Sequence, residues 1–153
     1  MHTFRAHKPQ HFRQVRSLLY AYGISRNLDE ALGNYFEELS MLPQKYGPPQ
    51  GCLLLAMDDE QPLGCVAFRP EREYICEMKR LYVRPQARGL QVGKALCMHL
   101  LKIARQRGYG KMRLDTHPSM TSAQKLYQEI GFYEIERYND NPIPGIRFFE
   151  CVL

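Results

Sequence analysis

The chain has 153 residues, 44% of them hydrophobic and 24% charged, with a formal net charge of +5. That length suits one domain over residues 1–153 with a core that needs no disulfide or metal, and the composition excludes disordered, fibrous and membrane-spanning classes. The basic excess admits nucleic acid, an anionic membrane surface or an anionic small ligand as partner, and the position of the charges decides among them.

In chain order, His2 to His7 reads as a short edge strand. Lys8-Pro9 then opens a helix with Phe12, Val15, Leu18 and Leu19 on one face, which Gly23 is expected to close. Leu28 to Leu39 repeats apolar residues at helical spacing and predicts a second helix, with an acidic side at Asp29, Glu30, Glu37 and Glu38. The segment MLPQKYGPPQG after it is rich in Pro and Gly and reads as a loop, a candidate lid. Cys52 to Met57 is an apolar run expected as a strand buried on both faces, and Leu63 to Phe68 returns beside it as a hairpin.

Tyr74 to Val83 predicts the central strand, ended by Arg84-Pro85 because proline has no N–H for the ladder. Val92, Leu96, Leu100 and Ile103 make the apolar stripe of a long helix, and Lys111 to Thr116 is the next strand, parallel to the central one through a right-handed crossover. A helix follows, with Ala123, Leu126, Tyr127 and Ile130 on one face and a capping-box pattern at Thr121 and Gln124, Ser119 being the alternative cap. Phe132 to Tyr138 and Arg147 to Leu153 read as closing strands, the last an edge strand able to pair across a two-fold in a homodimer. The expected fold class is α+β, a mixed central sheet of order βααβββαβαββ with one parallel crossover at its middle.

Chemistry concentrates between the central strand and the long helix. Arg88-Gly89-Leu90-Gln91-Val92-Gly93-Lys94 is a glycine-bearing turn opening a helix, where unpaired backbone N–H groups and the positive end of the helix dipole make an anion site suited to phosphate. Lys79, Arg80, Arg84, Arg88 and Lys94 crowd the same unit, so one phosphate-rich ligand accounts for much of the net charge. A nucleic-acid binder would instead spread its cations along one surface with aromatics between them, so no nucleic-acid partner is expected. The N-terminus, MHTFRAHKPQHFRQV, lacks an apolar segment and no later run spans a bilayer, so a cytoplasmic protein with no membrane partner is expected. Cys52, Cys65, Cys76, Cys97 and Cys151 show no C-x-x-C pair and no histidine at ligand spacing, which reads as buried reduced thiols with no metal.

Two motifs and the element order resemble the GNAT superfamily of acyl-CoA-dependent N-acyltransferases across nearly the whole chain. Arg88 to Ala95 matches the family's pyrophosphate loop, (Q/R)-x-x-G-x-(G/A), with Gln91 where the first glycine usually stands. Ala123-Gln124-Lys125-Leu126-Tyr127-Gln128-Glu129-Ile130-Gly131-Phe132 is similar to A-x-x-L-Y-x-x-x-G-F, with Met120 where an asparagine is common.

The resemblance implies acetyl-CoA as acyl donor, held by Leu81, Tyr82, Val83, Arg88, Gly89, Leu90, Gln91, Val92, Gly93 and Lys94. It implies direct attack by a primary amine, with Glu77 as general base, Tyr127 as general acid at the leaving thiolate, and a backbone N–H near Val83 polarising the carbonyl. His117 is a fallback base and Asp115 a candidate for orienting the amine. An acyl-cysteine route through Cys76 or Cys97 lacks an activating histidine in sequence. A small-molecule acceptor is favoured over a protein, and a non-catalytic acyl-CoA-binding or sensing module is the alternative.

Overall fold

A computed structural model describes residues 1–153. Seven strands form one mixed sheet in the order β1-β2-β3-β4-β5-β7-β6. They are β1 (His2–Arg5), β2 (Cys52–Asp58), β3 (Gln61–Arg72), β4 (Ile75–Val83), β5 (Lys111–Thr116), β6 (Tyr133–Ile135) and β7 (Arg147–Val152). The helices are α1 (Pro9–Arg26), α2 (Leu28–Leu32), α3 (Tyr35–Leu39), α4 (Leu42–Tyr46), α5 (Val92–Gln106) and α6 (Thr121–Glu129), with a short 3-10 turn at Pro85–Ala87. The α+β class, the β2–β3 hairpin and the parallel β4–β5 pair agree with the sequence reading.

Two apolar cores lie on opposite faces of the sheet. Cys76 and Met78 of β4, Val66 and Phe68 of β3, and Met112 and Leu114 of β5 point to α5 and α6, where they meet Leu96, Leu100 and Tyr127. The alternate residues Cys65, Ala67 and Tyr82 point to α1, α3 and α4, against Leu19, Tyr35, Leu39 and Tyr46. Every residue of β2 from Cys52 to Met57 is buried, as its unbroken apolar run requires.

The helical layer between β1 and β2 departs from expectation. Gly23 does not end α1, which runs on to Arg26; a Cβ there would stand 2.3 Å from the Tyr35 ring, so the glycine admits α3 against α1. Gly33, at φ +81°, breaks the expected Leu28–Leu39 helix into α2 and α3. The predicted loop contains α4, and Leu42 and Tyr46 are 0% and 1% exposed, so this segment is core and not a lid.

The C-terminal half also differs. The closing strand before the turn is only Tyr133–Ile135, and β7 lies inside the sheet between β5 and β6, so it is not the edge through which a dimer was expected. The capping box expected at Thr121 and Gln124 fails as well: Met120 is the cap residue of α6, and Gln124 donates instead to the His117 carbonyl at 3.0 Å. No helix is long and apolar enough to cross a membrane.

Two irregularities of β4 position everything that follows. Cys65 opposes Tyr82 while Ala67 opposes Lys79, so Val66 faces two residues, Arg80 and Leu81, in a bulge where Arg80 takes a left-handed φ of +62°. On its other side β4 pairs with β5 only at Ile75–Lys111, Cys76–Met112 and Glu77–Arg113. Beyond Glu77 the two parallel strands part, because β5 continues its ladder with β7 while the bulge turns β4 away.

Candidate active site

The parted strands open a cleft of about 1530 Å³. Leu81 to Arg88 and Gly89 form one wall, Gln91 to Lys94 its end, Met120 to Leu126 with Tyr127 the other wall, and Leu18, Tyr22 and Arg26 of α1 lie across it. Of the residues expected to hold the acyl donor, Leu81, Tyr82, Val83, Arg88, Gly89, Gln91, Val92, Gly93 and Lys94 all line this cleft. Leu90 does not; it is 64% exposed and points outward, so its contribution is limited to its backbone.

The loop entering α5 has the donors its sequence promises. Arg88 N–H closes the 3-10 turn onto Pro85, and the first helical bond from this end is Ala95 N–H to Gln91 O at 3.0 Å. The N–H groups of Gly89 through Lys94 find no protein acceptor, and Arg84, Arg88, Lys94 and Lys125 surround them, Glu129 being the one carboxylate in the lining. A diphosphate fits such a cradle. Gln91, where a glycine was expected, has φ +64°, the left-handed geometry that glycine adopts without cost. Gly93 has an ordinary φ, and a Cβ there would meet Leu126 and Val83 side chains only at 3.4 and 3.7 Å, so the fold alone does not demand glycine.

At the inner end, Arg84 N–H bonds back to Leu63 O on β3 at 2.9 Å, so strand alternation turns the Val83 N–H the other way, into the gap left by β5. Arg88 Nε donates to the Val83 carbonyl at 3.2 Å and steadies this stretch. Tyr127 of α6 faces the same gap. The hydroxyls of Tyr35, Tyr109, Tyr133 and Tyr138 donate to protein oxygens, whereas that of Tyr127 does not. Burial, with Cys97, Tyr22 and Asp115 adding to it, pushes its phenol well above the usual range, so it is a neutral O–H donor at any working pH.

Glu77 lies outside the cleft lining, at the vertex where β4 and β5 part, and is 3% exposed. Its Oε1 accepts from Arg69 Nη2 at 3.2 Å and lies 3.9 Å from Lys79 Nζ. Its Oε2 accepts from the Tyr138 hydroxyl at 2.6 Å and from Asn139 Nδ2 at 3.2 Å. Asn139 Nδ2 also donates to Asp115 Oδ2 at 2.7 Å, joining the two carboxylates expected at the amine. Tyr138 and Asn139 belong to no motif and sit in an irregular segment 61 and 62 residues from Glu77.

His117, the fallback base, accepts from Ser119 N–H at 3.0 Å on Nδ1 and lies beside the Ser119 hydroxyl at 2.7 Å, a local turn contact. Ser119 and Met120 both accept from Arg26 Nη2 at 3.1 Å, which ties α1 to the β5–α6 loop across the cleft mouth. The five thiols are buried and free. Burial pushes Cys65, Cys76 and Cys97 up to about 12 and Cys52 to about 11, which leaves no thiolate for an acyl-cysteine route.

The stretch that folds into this glycine loop, bulge and parted pair also matches a known family in sequence. The profile of the Acetyltransferase (GNAT) family covers residues 13–132. The chain belongs to the GNAT acetyltransferase family. It is 39% identical over 140 residues to an uncharacterized N-acetyltransferase of Schizosaccharomyces pombe, covering 90% of this chain and 86% of that one. It is also 31% identical over 100 residues to the N-acetylaspartate synthetase of Mus musculus, covering 65% of this chain and 33% of that longer one. A GNAT acetyltransferase structure from Staphylococcus aureus superposes with a TM-score of 0.81 at 18% identity, over 99% of this chain and 98% of the other. This GNAT protein is an acyl-CoA-dependent N-acyltransferase.

Proposed function

We propose that the protein transfers an acetyl group from acetyl-CoA to the primary amine of a small molecule, by direct attack. The observation that carries this is the gap between β4 and β5, which has free N–H donors from Gly89 to Lys94 beside Val83 at one end, the bulged stretch of β4 leading away from it, and the Tyr127 hydroxyl in its lining. The diphosphate of the donor rests on the loop, and the pantetheine arm lies along Leu81 to Val83.

The amine nitrogen attacks the thioester carbon, the carbonyl oxygen takes the developing charge onto a backbone N–H of the bulged stretch of β4 that precedes Val83, and the C–S bond breaks as the C–N bond forms. The amine gives up its proton to Glu77, directly or through a water, once an Oε2 contact to Tyr138 or Asn139 yields; Tyr127 donates its proton to the departing thiolate and regains one from solvent as CoA leaves, while Glu77 releases the amine's proton to solvent. Glu77 supports the base role by its place at the vertex and the hydrogen bonds that hold its carboxylate in one orientation. A small acceptor is in keeping with the name of the mouse relative, whose product is an acetylated amino acid.

The test is release of free thiol from acetyl-CoA across a panel of primary amines, with cofactor binding followed by calorimetry. Glu77→Gln and Tyr127→Phe should lower turnover by 10²-fold or so while keeping acetyl-CoA affinity. A wild-type protein that binds acetyl-CoA and acetylates no amine of the panel would be the non-catalytic acyl-CoA module.

A further inference from the structure

Around Glu77 one carboxylate answers two cations. Arg69 spends Nε and Nη2 on Glu77 Oε1, at 3.3 and 3.2 Å, and leaves Nη1 unused. The Lys79 side chain is only 15% exposed, yet its ammonium has no hydrogen bond and its one counter-charge is Glu77 Oε1 at 3.9 Å. The stem is covered while the ammonium keeps its contact with solvent, so its hydrogen-bonding capacity is open to an anion.

The other charges on this face are committed elsewhere. Glu38 is bound to Arg80, Asp115 to Asn139, and Glu71 and Glu150 to Arg113, with Lys111 also on Glu150. The Tyr46 hydroxyl of α4 is sealed from solvent beside Glu38 and Arg80 and belongs to that pair. Arg69, Lys79 and Glu77 share one face of β3 and β4, opposite the face that packs on α5.

Resting on the acetyltransferase reading above, we propose that the acceptor is an amino carboxylate, whose carboxylate docks on Lys79 and the free Nη1 of Arg69 while its amine lies against Glu77. The acceptor's negative charge supplies the missing counter-ion. It also gives Arg69 a second carboxylate, which loosens its hold on Glu77 as the amine arrives. Because Lys79 Nζ and Glu77 Oε1 are 3.9 Å apart, a carboxylate on the one and an amine on the other can be as near to each other as they are in α- and β-amino acids.

The experiment compares alanine, aspartate and glutamate with the α-carboxamide of each, as kcat/KM on the concentration of unprotonated amine, in wild type, Lys79→Met and Lys79→Arg. The expected result is a preference of tenfold or more for each carboxylate in wild type. It collapses towards one in Lys79→Met through a rise in acceptor KM, and is partly restored in Lys79→Arg. Calorimetric titration of the same amino acids in the presence of CoA reads binding apart from turnover, and thermal melting checks that each variant is folded. Lysine-dependent binding of the carboxylates without acetyl transfer would keep the inference and remove the catalytic reading. Transfer to amines with no carboxylate preference, or a preference unchanged in Lys79→Met, would overturn the inference and keep the activity. Absence of both binding and transfer would overturn both.

Discussion

Arg80 donates from Nε to Glu38 Oε2 at 2.7 Å, across 42 residues of sequence, and does so from a left-handed position in the middle of a strand. Such a backbone costs about 1–3 kcal/mol for a residue with a side chain and persists only where the surroundings enforce it. Here the guanidinium also lies 5.0 Å over the Tyr35 ring, and the Tyr35 hydroxyl is tied to Leu19 O at 2.6 Å, so α1 and α3 together hold the bulge. Breaking the pair should act on the bulge as well as on stability. Arg80→Leu leaves Glu38 buried without its partner and should cost about 3 kcal/mol in urea unfolding. Arg80→Gly adopts the same φ without enforcement and should retain more kcat than Arg80→Leu. Equal kcat in the two variants would show that the side chain, and not the bulge it enforces, is what turnover requires.

The same pair sets an acid limit. Burial of Glu38 opposes ionisation, but the hydrogen bond and charge of Arg80 outweigh it and hold the carboxyl below its usual value of 4.5. A folded-state pKa below the unfolded one stabilises the protein above the unfolded value, and that contribution disappears as pH falls through the folded one. Melting temperature should therefore fall below about pH 4.5, and the fall should be shallower in Glu38→Gln, which starts lower and has no charge there to lose.

Gln91→Gly should stabilise the protein by about 1 kcal/mol or less. It removes the left-handed penalty, against the entropy that glycine adds to the unfolded chain. Gln91→Val, with a branched carbon at φ +64°, should destabilise it. Gly93→Ala should fold nearly as well as wild type, since its added methyl meets only side chains at contact distance, yet weaken acetyl-CoA binding if phosphate approaches the backbone there. Thermal melting and calorimetry separate the two effects.

The thiols should be inert in the native protein. With Cys65, Cys76 and Cys97 near 12 and all five cysteines buried, iodoacetamide at pH 8 should alkylate them only after unfolding, as read by intact mass.

What the sequence made legible was what repeats or what motifs mark. The α5 stripe, the apolar run of β2, the parallel crossover and the phosphate loop all follow from residue type at fixed spacing. The bulge does not, because Arg80 sits in an unremarkable alternation and its geometry is enforced from α3. Nor does the partnership of Glu77 with Tyr138 and Asn139, which an irregular segment brings in from far along the chain. Gln91 was visible as a departure, but only its φ shows that the turn is kept at a cost. Between β1 and β2 the period of Leu28 to Leu39 hid the break at Gly33, and α4 was missed because a five-residue helix among Pro and Gly carries too few residues for a period to show.

Only three residue pairs join β4 to β5. Along that line the sheet is two smaller sheets, β1 to β4 and β5 to β7 with β6, joined further by the α5 connection, the packing beneath it and the side-chain bonds of Arg113 to Glu71 and of Tyr138 and Asn139 to Glu77. A molecule bound in the gap touches both, so its binding energy becomes cohesion between the halves, growing as the logarithm of ligand concentration over Kd. Without it, this seam is where the native protein should exchange its amide hydrogens earliest.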